Sequence, residues 1–264
     1  MELKKVIYTV EENIATIAMN YPKNLNAIDE DMANELSSVL DACEKDENVK
    51  AVIVQGGERA FSAGGDIGYF YGRIQEGGEI NMDALIAKVG VVSDRMRRMG
   101  KLFIAAVSGA AAGAGANLAL SCDFVICADN AKFIQAFSGI ALVPDTGGGF
   151  LLCRSVGAQR ALELCVTGRP LGAEEALKLG LVYQVVPADQ LKDSARKLAK
   201  KFATGPLLSY ANIKKQVYAA SFFDYQHYLE TAEVPTQHDC IASSDFVEGV
   251  KAFVEKRKPS FTGQ

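Results

Sequence analysis

Three continuous apolar runs constrain this chain more than any other feature. Residues 50–55 carry Ala51-Val52-Ile53-Val54, and residues 102–107 and 124–128 are apolar throughout. A strand with one wet face alternates apolar and polar residues, so unbroken runs of this length fit strands buried on both faces. Around them the pattern turns helical. Asp29 can cap a helix with Met32, Leu36, Val39, Leu40 and Cys43 at helical spacing, and residues 82–99 alternate apolar and basic residues as a helix does. The class implied is α/β, in a chain of 264 residues that is long enough to bury a substantial core.

The remaining elements follow from the same signals. Residues 6–10 and 14–19 read as a hairpin about Glu11-Glu12-Asn13, and residues 182–186 as a further strand. Helices are predicted at 148–156, 158–167 and 173–179. Beyond Ala188 the chain is almost wholly helical: 188–204, 206–220, 223–243 with a break near Pro235, and 245–257. Residues 71–81 (YGRIQEGGEIN) are polar and glycine-bearing and are expected to form a mobile loop. No short fixed-period repeat is present. The β-rich part ends near Pro187, which places a soft boundary near residue 200, with a core of 1–200 and a helical region of 201–264.

Charge and cysteine usage exclude several functions. A net charge of −4 with no long basic run leaves no footprint for nucleic acid. No stretch of about 18 residues is apolar without charges or turn breakers, so no membrane span is expected. The start, MELKKVIYTVEEN, is charged and then strand-like, without an apolar signal core. Six cysteines among mostly apolar neighbours, with no CxxC pair, fit buried free thiols in a reducing compartment. His227 and His238 form no metal-ligand pattern and no triad, so no metal is expected. These signs describe a cytoplasmic enzyme or binding protein that works without histidine.

Two strand ends share a physical design. The run at 51–54 leads to Phe61-Ser62-Ala63-Gly64-Gly65-Asp66, and the run at 102–107 leads to Gly109-Ala110-Ala111-Ala112-Gly113-Ala114-Gly115. Small residues let a ligand approach the main chain and leave backbone N–H groups unshielded. Were the turns adjacent, one N–H from each could point at a single oxygen and stabilise charge developing on a carbonyl. Close packing of helix on sheet would use the same residues. A dinucleotide-binding reading is weak, because Leu118 replaces the third glycine of GxGxxG and no acidic residue follows about 20 positions on at a strand end.

One acid stands out. Asp145 sits in Leu142-Val143-Pro144-Asp145-Thr146-Gly147-Gly148-Gly149-Phe150, between a proline and three glycines in apolar surroundings. It has two readings: a residue that caps the following helix, or a desolvated acid/base with a raised pKa.

These stretches together resemble the crotonase superfamily, the enoyl-CoA hydratase/isomerase family. The resemblance rests on YPKNLNAID, AFSAGGDI, AAVSGAAAGAGANLALSCDFVICADNAKF, LVPDTGGGFLLCRSVGAQRALEL, GRPLGAEEALKLGLV and EGVKAFVEKRKPSF, in order along nearly the whole chain. It implies a spiral of ββα units with a C-terminal helical trimerisation region, in a homotrimer or homohexamer. It implies acyl-CoA thioester substrates, with coenzyme A part of the substrate rather than a cofactor. The oxyanion N–H groups would be those of Gly65 and Ala114. Coenzyme A would meet Ala63, Ile67 and Lys23, with Phe253 and Lys256 reaching the nucleotide of a neighbouring subunit.

The two glutamates used by hydratases of the family fall at Asn117 and Phe137, which would only line the substrate pocket. Asp145 is the acid that remains, where isomerases that shift a double bond, the ring isomerase of phenylacetyl-CoA breakdown, a dehalogenase branch and naphthoate synthases keep one. The dehalogenase pattern also asks for a tryptophan at 137 and a histidine near 90, and the chain has neither. The expected activity is therefore 3-enoyl to 2-enoyl isomerisation with Asp145 as the base. The alternatives are an enoyl-CoA hydratase or hydrolase, a non-catalytic acyl-CoA-binding subunit, and a generic α/β binding protein. Tyr69, Phe70 and Tyr71 are candidates for shaping the acyl pocket.

Overall fold

The computed structural model describes residues 3–77, 82–221 and 224–262. Strands β1 (Val6–Glu11) and β2 (Ile14–Met19) form the opening hairpin, and helix α1 (Glu30–Lys45) follows. Glu12 and Asn13 carry φ of 51° and 64°, the left-handed backbone that a two-residue hairpin turn needs. Asp29 caps α1 by accepting from the Met32 N–H at 3.0 Å.

The architecture then repeats. Strand β3 (Ala51–Gln55) is followed by the short β4 (Ala60–Ser62), then α2 (Ile67–Glu76) and α3 (Asp83–Arg98). Strand β5 (Leu102–Val107), the short β6 (Ala110–Ala112) and α4 (Ala114–Leu120) make the next turn. Strand β7 (Phe124–Ala128), the short β8 (Lys132–Ile134), α5 (Gly148–Val156) and α6 (Ala158–Thr167) make the third. The long strands join a six-stranded sheet in the order β1-β2-β3-β5-β7-β10. The short ones join a second sheet, β4-β6-β8-β9, with β9 at Leu171–Gly172 and β10 at Gln184–Val186. Both ladders β3·β5·β7 and β4·β6·β8 are parallel, so each turn of a ββα spiral adds one strand to each sheet. Helices α2 and α3 make the first turn far longer than the second, which is why no fixed period shows in the sequence.

The apolar runs are covered on both faces. Val52, Val54, Phe103, Ala105, Val107, Val125 and Cys127 join the main core with α1 and α3. The alternate residues Ala51, Ile53, Ile104, Ala106, Ile126 and Ala128 pack against Leu191, Ala195, Ala199 and Phe202 on the opposite side. Those four lie on α8 (Leu191–Ala203), which follows α7 (Ala173–Lys178). The strong amphipathic stripe of α8 is what closes the second face.

The C-terminal helices are α9 (Leu207–Ser221), α10 (Tyr225–Tyr228), α11 (Val234–Ile241) and α12 (Ser244–Val254), with one π turn at Leu229–Glu233. Pro235 was expected to break this segment. Instead the helix widens into the π turn just before it, which accommodates the proline ring and its missing N–H. Among the described residues no helix is long and apolar enough to cross a membrane.

Two sequence expectations need correction. Residues 71–76, expected as part of a mobile loop, are helical: Asp66 accepts from the N–H groups of Gly68 (2.9 Å) and Tyr69 (3.2 Å), and Ile67, Phe70, Tyr71 and Ile74 form a stripe that packs with Phe246 of α12. Residues 78–81 of that stretch lie outside the described residues, as does Phe223, where the 223–243 helix was expected to begin. All six cysteines are free, but only Cys43, Cys122 and Cys127 are buried, and Cys153 is exposed.

Candidate active site

The two small-residue turns lie against each other. Gly64 has a φ of +88°, and a Cβ on it would come within 2.6 Å of the Ala112 oxygen and 3.4 Å of the Ala114 nitrogen. Glycine is required there for both reasons. The bonds that organise the first turn pass over Gly65: the Ile28 N–H donates to Gly64 O, and Asp66 N–H to Ile28 O. In the second, Gly113 N–H donates to Ile134 O and Asn117 N–H to Gly113 O, again passing over Ala114. Ala114 opens α4, where backbone N–H groups have no partner within the helix.

Gly65 and Ala114 both line a cavity of about 360 Å³. Its walls are mainly apolar: Met82, Ile86 and Val89 from α3, Phe137, Ile140 and Leu142 from the stretch before Pro144, and Phe246 from α12. Asp145 lines it too. Among the described residues of the wall, no other side chain is ionisable.

The local backbone explains how Asp145 arrives there. Ala141 turns left-handed after a short 3-10 segment, and Thr146 and Gly147 follow with φ of 56° and 74°. The turn closes when Gly148 N–H donates to the Asp145 carbonyl at 2.8 Å. The helix that follows, α5, has Gly147 at its N-cap and no side-chain cap. The capping reading of Asp145 is therefore not what forms. Its Oδ1 accepts from the Thr146 hydroxyl at 2.9 Å and its Oδ2 from Gln237 Nε2 at 3.4 Å. Burial among apolar groups outweighs these bonds and raises the pKa of Asp145 to about 6.

Asn117 and Phe137 part company. Phe137 lines the cavity. Asn117 does not: it is fully buried beneath the Asp145 turn, donating to the Asp145 carbonyl at 2.8 Å and accepting from Gln135 Nε2 at 2.8 Å. A Cβ on Gly148 would come within 2.0 Å of its amide. Asn117 thus supports the turn rather than facing the pocket. Asn117→Ala would leave the Gln135 amide without this acceptor in a dry interior, while the Asp145 carbonyl keeps the Gly148 N–H, a cost of about 1–3 kcal/mol in all. The expected result is a melting temperature lowered by roughly 5 °C, read by calorimetry. An unchanged melting temperature would show the bonds to be dispensable.

Of the remaining predicted residues, Ala63, Ile67 and Phe253 border the cavity, Phe253 with 63% of its surface exposed. Lys23 and Lys256 are exposed and lie off its wall. Phe70 lines the cavity, while Tyr69 and Tyr71 pack behind it.

The structure also brings in residues that sequence reasoning passed over. Gln237 of α11 lines the cavity and accepts from the Val143 N–H at 3.1 Å. Glu233, at the end of the π turn, accepts from the Gly147 N–H at 2.9 and 2.8 Å through its two oxygens. Burial first, and the charge of Asp145 second, push Glu233 up to about 8. The polar pair Glu233/Gln237, one helical turn apart, was visible as a pattern, but nothing local ties it to residues about 90 positions earlier. Among the described residues no cluster of three or more His, Cys, Asp or Glu could hold a metal ion.

This geometry has close counterparts. Residues 9–264 match the model of the enoyl-CoA hydratase/isomerase family. The chain is 34% identical over 264 residues to the trans-2-decenoyl-[acyl-carrier-protein] isomerase of Streptococcus mutans serotype c, covering 100% of both. It is 36% identical over 269 residues to the 1,2-epoxyphenylacetyl-CoA isomerase of Escherichia coli strain K12, covering 98% of each. The crystal structure of an enoyl-CoA hydratase from Mycobacterium avium subsp. paratuberculosis K-10 superposes with a TM-score of 0.90 at 30% identity, over 99% of this chain and 100% of that one. With its spiral core and apolar cavity, the chain belongs to the enoyl-CoA hydratase/isomerase family, within the crotonase superfamily.

Proposed function

We propose that the protein is an acyl-thioester isomerase that moves a double bond between the 3- and 2-positions. The observation that carries this reading is the single ionisable side chain on the described cavity wall, Asp145. Addition of water by two acids needs a second carboxylate at the cavity, and the positions where hydratases of the family hold theirs are a buried amide, Asn117, and a phenyl ring, Phe137. One base suffices for isomerisation. Asp145 removes the α-proton, the N–H groups of Gly65 and Ala114 hold the enolate oxygen, and Asp145 returns the proton to the γ-carbon on the same face. Two donors contribute roughly 5 kcal/mol, from about 3–4 per donor reduced for non-additivity.

The names of two relatives, both isomerases, support the reading, and the first is named for a decenoyl group on an acyl-carrier protein, the second for a coenzyme A thioester. The apolar walls suit a hydrocarbon acyl chain on either carrier. Ala63, Ile67 and Phe253 border the cavity where a coenzyme A carrier would lie, with the exposed Lys23 and Lys256 as candidate phosphate contacts. Exposed Leu208, Ile213 and Val217 on α9 and Leu162 and Val166 on α6 offer apolar surface for a homotrimer or homohexamer.

The test is incubation of a 3-enoyl thioester in heavy water, followed by mass and position analysis of the product. The expected product is the 2-enoyl isomer. Gain of one water by mass would replace this reading with a hydratase, and tight binding with neither product nor deuterium would replace it with a non-catalytic binder.

A further inference from the structure

The turn that carries Asp145 is fastened at both ends by one helix face. Gly147, directly after Thr146, gives its N–H to Glu233, and Val143, directly before Pro144, gives its N–H to Gln237 Oε1. The same Gln237 turns its Nε2 to Asp145 Oδ2. Glu233 and Gln237 are 2% and 1% exposed, so neither is held there by solvent. They stand four residues apart on one face, and the π turn at Leu229–Glu233 ends at the first of them. Such widened turns occur often at functional sites. From behind, Tyr225 packs so closely that a Cβ on Gly147 would meet its hydroxyl at 1.7 Å.

We propose that Glu233 and Gln237 are positioning residues, which clamp the 143–147 turn and hold the Asp145 carboxylate at the cavity. The assignment rests on the reading of Asp145 as the base. Gln237 acts twice: its oxygen fixes the backbone before Pro144, and its amide orients the carboxylate and stabilises the charged form. Glu233 fixes the backbone after Asp145. Among the described residues, the polar side chains that bond or crowd this turn from other elements include Asn117 of α4, Tyr225 of α10, Glu233 of the π turn and Gln237 of α11, and of these four Glu233 alone is a carboxyl group and Tyr225 a phenol. Misplacing a catalytic group by about 1 Å costs up to about 10²-fold, so the clamp has rate to protect.

The test reads the Asp145 carboxyl directly, by carbon-13 NMR titration of the full chain, together with kcat and KM. Gln237→Glu keeps an oxygen for the Val143 N–H but, once ionised, cannot donate to Asp145. The expected result is a titration midpoint raised by about one pH unit and kcat lowered roughly tenfold, with KM within about twofold. Glu233→Leu removes the acceptor of Gly147 and is expected to lower kcat by a similar factor. Glu233→Gln returns an acceptor and is expected to restore most of that loss. An unmoved Asp145 midpoint with unchanged kcat in Gln237→Glu would overturn the role of Gln237. Equal kcat in the leucine and glutamine variants of Glu233 would overturn that of Glu233. The midpoint needs no turnover, so retained α-exchange in Asp145→Asn would remove the base assignment while leaving the clamp intact.

Discussion

Asp145→Asn is expected to slow hydrogen exchange at the α-carbon of a bound acyl thioester by about 10³–10⁴-fold, near the upper worth of a general base, while leaving thioester binding within a few-fold. The amide keeps the size of the carboxylate and can still accept from the Thr146 hydroxyl, so the turn should survive. What is lost is basicity. Because the reacting form is the carboxylate, wild-type kcat/KM should rise about tenfold per pH unit on the acid side and level off above a midpoint near the raised value of about 6. Burial sets that midpoint by disfavouring the charge, against the Thr146 and Gln237 bonds that favour it. Exchange at the wild-type rate in the asparagine variant would remove Asp145 from the mechanism.

The second large effect should come from a backbone atom. Ala114→Pro replaces one N–H by the ring Cδ, which both removes the donor and fills its place at the cavity, yet spares the helix, since Ala114 is the first residue of α4, a position where proline is tolerated. The residue before it is Gly113, whose freedom reduces the strain a following proline imposes. If the N–H of Ala114 holds the enolate oxygen, kcat should fall about 10²–10³-fold. The melting temperature, measured alongside, should change by only a few degrees. A folded proline variant with wild-type kcat would show that this N–H stabilises nothing in the reaction.

How much of this was visible beforehand depends on the range of the interactions involved. The strands at 51–55, 102–107 and 124–128 and the Asp29-capped helix rest on patterns a few residues long, and they stand where expected. Helix α2 is not legible in the sequence because the tract after Tyr71 is polar and the partner of its apolar stripe, Phe246, lies far along the chain. Of the four short strands of the second sheet, β4 and β6 overlap the two small-residue turns of the sequence. Three residues are too few to carry a period, and parallel pairing with one another defines them.

Asp145 shows the division most clearly. Its place between proline and glycines could be read directly, and the lack of a glutamate at 117 and 137, where the family resemblance puts them, made it the candidate base. Whether it would cap a helix or face a cavity could not, because the choice is made by groups distant in the chain. Asn117 takes the turn's carbonyl from below, Glu233 and Gln237 take its N–H groups from the side, and apolar walls from α3 and α12 face the carboxylate across the cavity. Local chemistry is written in neighbouring residues, so the sequence alone determined the long buried strands, most of the helices, the two small-residue turns and the place of Asp145 between proline and glycines. Desolvation and orientation depend on what is packed around a group, and only the tertiary structure decided that this carboxylate is raised toward neutrality and held at the cavity wall.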